Sequence, residues 1–301
     1  MEVKEWGYAE FPEFRAEGIP VISTTGDEVY TRYEADVVYD TRDGKDLHLQ
    51  ILVPKSRNNP AGTYPCVLYV PGSGWFPQHI HVEVPRTARV ADLGYVAVVV
   101  EYRSSFDASF PAQVIDVKNA VRFMRLHADE YHVDPDRIVL MGSSSGGHTV
   151  VFTSLVHEDD SEKIDPSVSA EVNGIIDQFG SVTVMFDDSN PSNTHHLERE
   201  SPEGWLTKLD LREHPEVQCQ ISAECNIFEE TEMPPMLIIH GTKDRIVNAR
   251  CSEVLYRRLK ETGHDATMYL LQGADHGGPE FWTPYMLKLM DDFMRSCNGL
   301  L

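Results

Sequence analysis

Arg137-Ile-Val-Leu-Met-Gly-Ser-Ser-Ser-Gly-Gly-His-Thr-Val-Val151 is the stretch that decides the fold. Its first part is apolar and β-branched, as a buried strand requires, and its last part returns to a helical pattern after a cluster of glycines and serines. Between them stands Gly142-Ser143-Ser144-Ser145-Gly146, a G-x-S-x-G pattern in the strand-to-helix setting that gives it meaning. So tight a turn needs small flanking residues. It pushes the central hydroxyl out above the sheet, at a helix N-terminus that favours developing negative charge. Ser144 is the nucleophile candidate; Ser143 and Ser145, at the variable positions, are weaker rivals.

Outward from this motif, short β-branched runs alternate with amphipathic helical patterns, the signature of a sheet built from crossover units. The expected strands are Glu34 to Tyr39, Leu47 to Val53, Cys66 to Val70, Tyr95 to Tyr102, Arg137 to Met141, Val172 to Phe179, Met236 to His240 and Ala266 to Leu271. The first two, joined by a turn-like DTRDGKD, read as an antiparallel hairpin. Val114, Val117, Val121 and Met124 recur at helical spacing after Pro111, as do Cys251, Leu255 and Leu259 after Asn248. A closing helix from Pro284 to Cys297 is expected to bury Met286, Leu287, Met290, Phe293 and Met294 and to expose Asp291, Asp292 and Arg295. The fold class is α/β: a mostly parallel eight-stranded sheet with helices on both faces, in which a G-x-S-x-G elbow points to the α/β-hydrolase fold. It is read as one domain over residues 1–301, with residues 1–33 as an N-terminal extension. Residues 181–235 form too long a connection for an ordinary crossover and read as a small lid or pocket wall.

Composition narrows the partners. The chain has 301 residues, 41% of them hydrophobic, and a net charge of −22, which repels phosphate backbones and anionic membrane surfaces. Nucleic acid and membrane are therefore not expected partners, while homo-oligomerisation stays open. Five scattered cysteines lack metal-ligand spacing and read as free thiols. His195 and His196 lack a third ligand at helical spacing, so no metal is expected. MEVKEWGYAEFPEF has no apolar run and no basic flank, and no stretch approaches the roughly 18 apolar residues of a membrane span. The chain as given reads as cytoplasmic, or as secreted or periplasmic if a signal peptide has been removed.

A serine hydroxyl needs a general base, and the base needs a partner that fixes its tautomer. In this fold the chain order is Ser, acid, His. Met236-Leu-Ile-Ile-His-Gly-Thr-Lys-Asp244 and Gln272-Gly-Ala-Asp-His276-Gly-Gly each run from a strand end into a turn, which makes Asp244 the candidate acid and His276 the candidate base. His240 competes as a structural histidine bonded to the loop, and Asp275 as a neighbour that points elsewhere. After the third strand, Gly72-Ser73-Gly74 forms a loop whose backbone N–H groups, with that of Ser145, can face an oxyanion. Trp75, Phe76 and Trp282 flank these loops as candidate substrate-binding side chains, with core packing as the competing reading.

Together, YVPGSGW (69–75), EYRSS (101–105), the run from Phe110 to His148, PPMLIIHGTKDRIV (234–247) and GADHGG (273–278) resemble bacterial α/β-hydrolase esterases of the BD-FAE type. These are relatives of the hormone-sensitive-lipase and kynurenine formamidase groups. The resemblance implies a triad of Ser144, Asp244 and His276 and an oxyanion hole from the backbones of Ser73, Gly74 and Ser145, with no metal or organic cofactor. It also implies a carboxylesterase acting through an acyl-serine on a small-molecule or carbohydrate ester, with acetyl or feruloyl as the acyl group. Two positions depart from the family pattern: Pro71 replaces the histidine that opens the glycine loop, and Ser145 stands where alanine is usual. An arylformamidase and a prolyl-oligopeptidase-type peptidase share the same triad chemistry, the peptidase being the less expected because the given sequence shows no propeller pattern. A non-catalytic hydrolase-like binding protein is the alternative from another class.

Overall fold

The computed structural model describes residues 3–59 and 62–300. Eight strands, β1 (Tyr30–Arg42), β2 (Lys45–Lys55), β3 (Tyr64–Val70), β4 (Val96–Val100), β5 (Val133–Ser143), β6 (Gly174–Gln178), β7 (Met236–Gly241) and β8 (Ala266–Leu271), lie in one sheet. Their order is β1-β2-β4-β3-β5-β6-β7-β8, and only β2 runs against its neighbours. All eight expected strands are present. The first begins earlier than expected, because Tyr30-Thr-Arg-Tyr33 continues the pairing against Leu52–Lys55. The extension is shorter accordingly, and its first two residues lie outside the described ones.

Alternation along the strands sends side chains to two cores. Cys66, Leu68 and Val70 of β3 enter one, with helices α2 (Ala112–Leu126) and α7 (Ala249–Glu261); Val67 and Tyr69 enter the other, with α1 (Val84–Ala91) and α8 (Pro284–Cys297). Layers on both faces follow from strands that are apolar on both sides. α3 (Ala128–Tyr131) is a single turn, and α4 (Ser145–Phe152) starts at the elbow. α8 departs from its expected polar side at one residue. Asp291 is buried, where the Tyr95 hydroxyl donates to it at 2.8 Å and Arg295 bonds it at 2.9 Å. A carboxylate on the rim of an apolar face can turn inward when a phenol and a guanidinium satisfy it.

Residues 181–235 carry α5 (Pro202–Thr207) and α6 (Pro215–Gln220) and contribute no strand among the described residues. The segment is fastened to the rest at several points. His148 of α4 donates from Nε2 to the Ile221 carbonyl at 3.1 Å, Asn193 donates to the Asp244 carbonyl at 2.8 Å, and His196 donates to the Ile246 carbonyl at 3.0 Å. No helix among the described residues is long and apolar enough to cross a membrane.

Candidate active site

The elbow after β5 is built by steric exclusion. A Cβ on Gly146 would lie 2.0 Å from the Val70 carbonyl oxygen, so only glycine lets α4 start against β3. Ser144 sits at the apex with φ 53° and ψ −124°, a backbone state that costs of order 1–3 kcal/mol and that the β5–α4 junction enforces. Its hydroxyl is thereby lifted toward the ends of β7 and β8.

His276, on the loop after β8, places Nε2 2.8 Å from Ser144 Oγ and Nδ1 2.7 Å from Asp244 Oδ2. With Asp244 ionised, Nδ1 carries the hydrogen and Nε2 is left to accept from the serine. Burial alone would raise the Asp244 pKa. Hydrogen bonds from His240 and His276, together with the Ile246 amide, outweigh it and hold the carboxyl well below the usual range. Oδ1 accepts from the Ile246 and Val247 amides, both at 2.9 Å. The remaining approach is taken by His240, whose Nε2 lies 3.1 Å from Asp244 Oδ2 and 3.0 Å from the Val247 carbonyl. Both of those are acceptors, so His240 Nε2 carries hydrogen, and Nδ1 pairs with the Ser252 hydroxyl at 2.7 Å. Asp275 turns away to Arg245, and its Oδ1 accepts from its neighbour's amide at 2.9 Å. Phe179 packs edge-on against the His276 ring at 4.9 Å and limits its rotation.

The glycine loop after β3 lies directly on the nucleophile. A Cβ on Gly72 would fall 2.6 Å from Ser144 Cβ, so a side chain there would displace the serine. The loop's donors divide unequally. The Ser73 amide, expected to face the oxyanion, donates instead to Ser145 Oγ at 2.9 Å. The cause is the hydroxyl at position 145, which points at the loop rather than away from it. Gly74 and Ser145 keep their amide hydrogens free of protein acceptors among the described contacts. Tyr102 ties the loop down: its hydroxyl donates to the Pro71 carbonyl at 3.0 Å and lies 3.2 Å from Ser73 Oγ. Ser143, the other rival nucleophile, is buried, with Oγ against the Tyr69 hydroxyl at 2.9 Å.

The aromatic assignments need correction. Trp75 is 1% exposed, bonded to Thr149 and edge-on to His148, and Trp282 is 7% exposed against Tyr69. Both are core side chains, because the loops that carry them fold their largest apolar groups inward. Phe76 alone of the three reaches the rim. It stacks on Phe106 at 5.1 Å, and Phe106 meets Trp205 of α5 edge-on at 5.1 Å. Phe106 and Trp205 stand far apart along the chain, so only their convergence in space identifies them. Of the paired histidines, His195 is exposed beside Glu198, while His196 is buried against Glu203 at 2.8 Å. No group of three or more His, Cys, Asp or Glu side chains among the described residues is placed to hold a metal ion.

A hydroxyl at an elbow, an oriented imidazole, a buried carboxylate and free amides over the hydroxyl make an arrangement equipped for acyl transfer, and the chain's relatives carry that arrangement's names. Esterase LipQ of Mycobacterium tuberculosis is 26% identical over 72% of this chain and 51% of its own length, and Esterase LipC of the same organism is 26% identical over 78% and 58%. The chain thus spans about half the length of the curated relatives it matches. Among solved structures, a truncated carbohydrate esterase from gut microbiota superposes with TM-score 0.77 at 28% identity, over 91% of this chain and 98% of its own. A thermophilic esterase from Thermogutta terrifontis superposes with TM-score 0.70 at 26% identity, covering 91% and 94%. The fold is accordingly that of the α/β-hydrolase esterases. The BD-FAE model matches residues 49–259, which contain the elbow, the glycine loop and the acid loop, and the chain belongs to the BD-FAE family.

Proposed function

We propose that the chain is a serine carboxylesterase that hydrolyses short-chain or aromatic acyl esters, acetyl or feruloyl groups on carbohydrate among them, through an acyl-serine intermediate. The observation that carries this reading is the unbroken relay from Ser144 Oγ through His276 to Asp244, with contacts of 2.8 and 2.7 Å. His276 Nε2 takes the hydroxyl proton as Oγ adds to the ester carbonyl. The Gly74 and Ser145 amides receive the resulting oxyanion, each such donor being worth about 10² to 10³ in rate. Collapse breaks the bond to the alcohol, which leaves with the proton from His276. Water then donates a proton to the same nitrogen, adds to the acyl-serine and releases the acid, restoring Ser144.

Residues 181–235 serve in this reading as a pocket wall. Their proximity supports it: Pro202 would lie 3.3 Å from a Cβ on Gly74, so α5 stands beside the oxyanion loop. The Thermogutta terrifontis esterase has been described with propionate and with butyrate bound and as phosphorylated by paraoxon. Short acyl chains and a phosphorylating inhibitor are therefore the probes of choice. Hydrolysis of p-nitrophenyl acetate, abolished after one equivalent of paraoxon is taken up, is the expected result. A chain that neither turns over the ester nor takes up paraoxon is a binding protein.

A further inference from the structure

The rim beside the oxyanion loop pairs aromatic surface with positive charge. Phe106 is 54% exposed, stacked on Phe76 and propped edge-on by Trp205. Two cations converge on the Trp205 ring, with the Arg199 guanidinium 4.7 Å and the Lys208 ammonium 5.4 Å from its centroid. Neither makes an ion pair among the described residues. Arg199 reaches only the Gly204 carbonyl, at 3.5 Å, and Lys208 the Ser105 carbonyl. The carboxylates nearby are engaged elsewhere: Asp107 with Lys45 at 2.8 Å, Glu198 with His195 at 2.9 Å and Glu203 with His196 at 2.8 Å. Glu200 is exposed and pairs with neither cation.

In a chain of net charge −22, two cations over one ring without a carboxylate partner stand out, and that ring meets the aromatic pair beside the oxyanion loop. Phe76 is within 3.5 Å of the Cβ position of Gly74, and Gly74 is two residues from the glycine that touches Ser144, a span of at most about 7.6 Å. A group stacked on Phe106 is thus within reach of an ester held at Ser144.

We propose that this rim is a subsite for an alcohol moiety bearing both a ring and a carboxylate, either a uronic-acid sugar or a carboxylated aryl group. The ring packs on Phe106 and Phe76, and the carboxylate is received by Arg199 and Lys208. The inference rests on the esterase reading above and specifies its substrate class.

Two matched pairs test it: 4-carboxyphenyl acetate against 4-carbamoylphenyl acetate, and an acetylated methyl glucuronoside against the corresponding glucoside. The acidic member of at least one pair is expected to show about tenfold higher kcat/KM at low salt, and the pair with the larger ratio identifies the ring as aryl or sugar. Raising the ionic strength to about 0.5 M should shrink that advantage. Arg199→Gln, alone and combined with Lys208→Gln, should bring the ratio to one or below, and because both substrates are read on one preparation, partial misfolding does not move it. Ratios near or below one in both pairs for the unaltered protein, or a ratio that survives both substitutions, overturn the subsite. Turnover of p-nitrophenyl acetate separates the two failures, since its absence removes the esterase reading itself.

Discussion

Replacing Ser144 by alanine deletes one oxygen and leaves the elbow's glycines in place, so activity is lost without loss of fold. A fall of about 10⁴-fold or more in kcat is expected, measured on protein whose circular dichroism and melting temperature match the parent. Ser145→Ala asks a finer question. It removes the acceptor that holds the Ser73 amide, while Tyr102 still anchors the loop through Pro71 and Ser73. The freed N–H can then join Gly74 and the residue-145 amide, so kcat is expected to stay within about threefold of the parent. A fall beyond about tenfold would make the hydroxyl itself a required anchor of the loop. At this scale the three relay residues are legible in the sequence, because each follows a strand end and only strand ends converge on one edge of the sheet. Orientation is not legible. Whether Ser145 faces the loop, or Trp75 the core, depends on packing between segments distant along the chain.

Among the elements, residues 181–235 are the ones to which the proposed function assigns selectivity. Their excess length could be read directly, since ordinary crossovers are short, and it pointed to a wall over the strand ends; which of their residues meet the loops could not be read, because those contacts join segments distant along the chain. The structure brings α5 to the glycine loop and Asn193 to the acid loop, which puts the segment beside the ends of β3 and β7. If the segment also closes the acyl side of the site, each methylene without room must displace packed side chains or remain in water, a cost of about 1–3 kcal/mol. In a matched series of p-nitrophenyl esters from acetyl to decanoyl, kcat/KM should peak at two to four carbons. A maximum at the long end would mean that the segment frames a lipid channel.

For the whole molecule, the sheet was legible because its inner strands are short apolar runs buried on both faces, while the edge strands β1 and β8 are largely exposed and carry a weaker mark. Buried charge within that sheet was not, since a lone aspartate in an apolar strand gives no sign of whether it finds a partner. Asp177 of β6, level with Gly142 beneath the elbow, is such a residue: it is fully buried, and neither oxygen has a hydrogen-bond partner of good geometry. Burial pushes its pKa from 3.8 up to about 7, and the approach of the Gly180 amide offsets only part of the rise. The folded state therefore holds a proton that the unfolded state releases, and this group's contribution to stability is full below pH 3.8 and lost as pH rises toward 7. His148 works in the opposite sense. Burial lowers its pKa to about 4, so its contribution is present above the unfolded value of 6.5 and lost as pH falls toward 4. A pH–stability curve of the parent alone mixes the two effects. Asp177→Asn separates them, because the amide is nearly isosteric, does not titrate and leaves His148 unchanged. The stability of Asp177→Asn relative to the parent should rise by about 2–3 kcal/mol between pH 5 and pH 8, most of it below pH 7. Urea unfolding at fixed pH values measures the difference directly, and a difference that stays constant across that range would show that Asp177 is already ionised in the folded protein at pH 5.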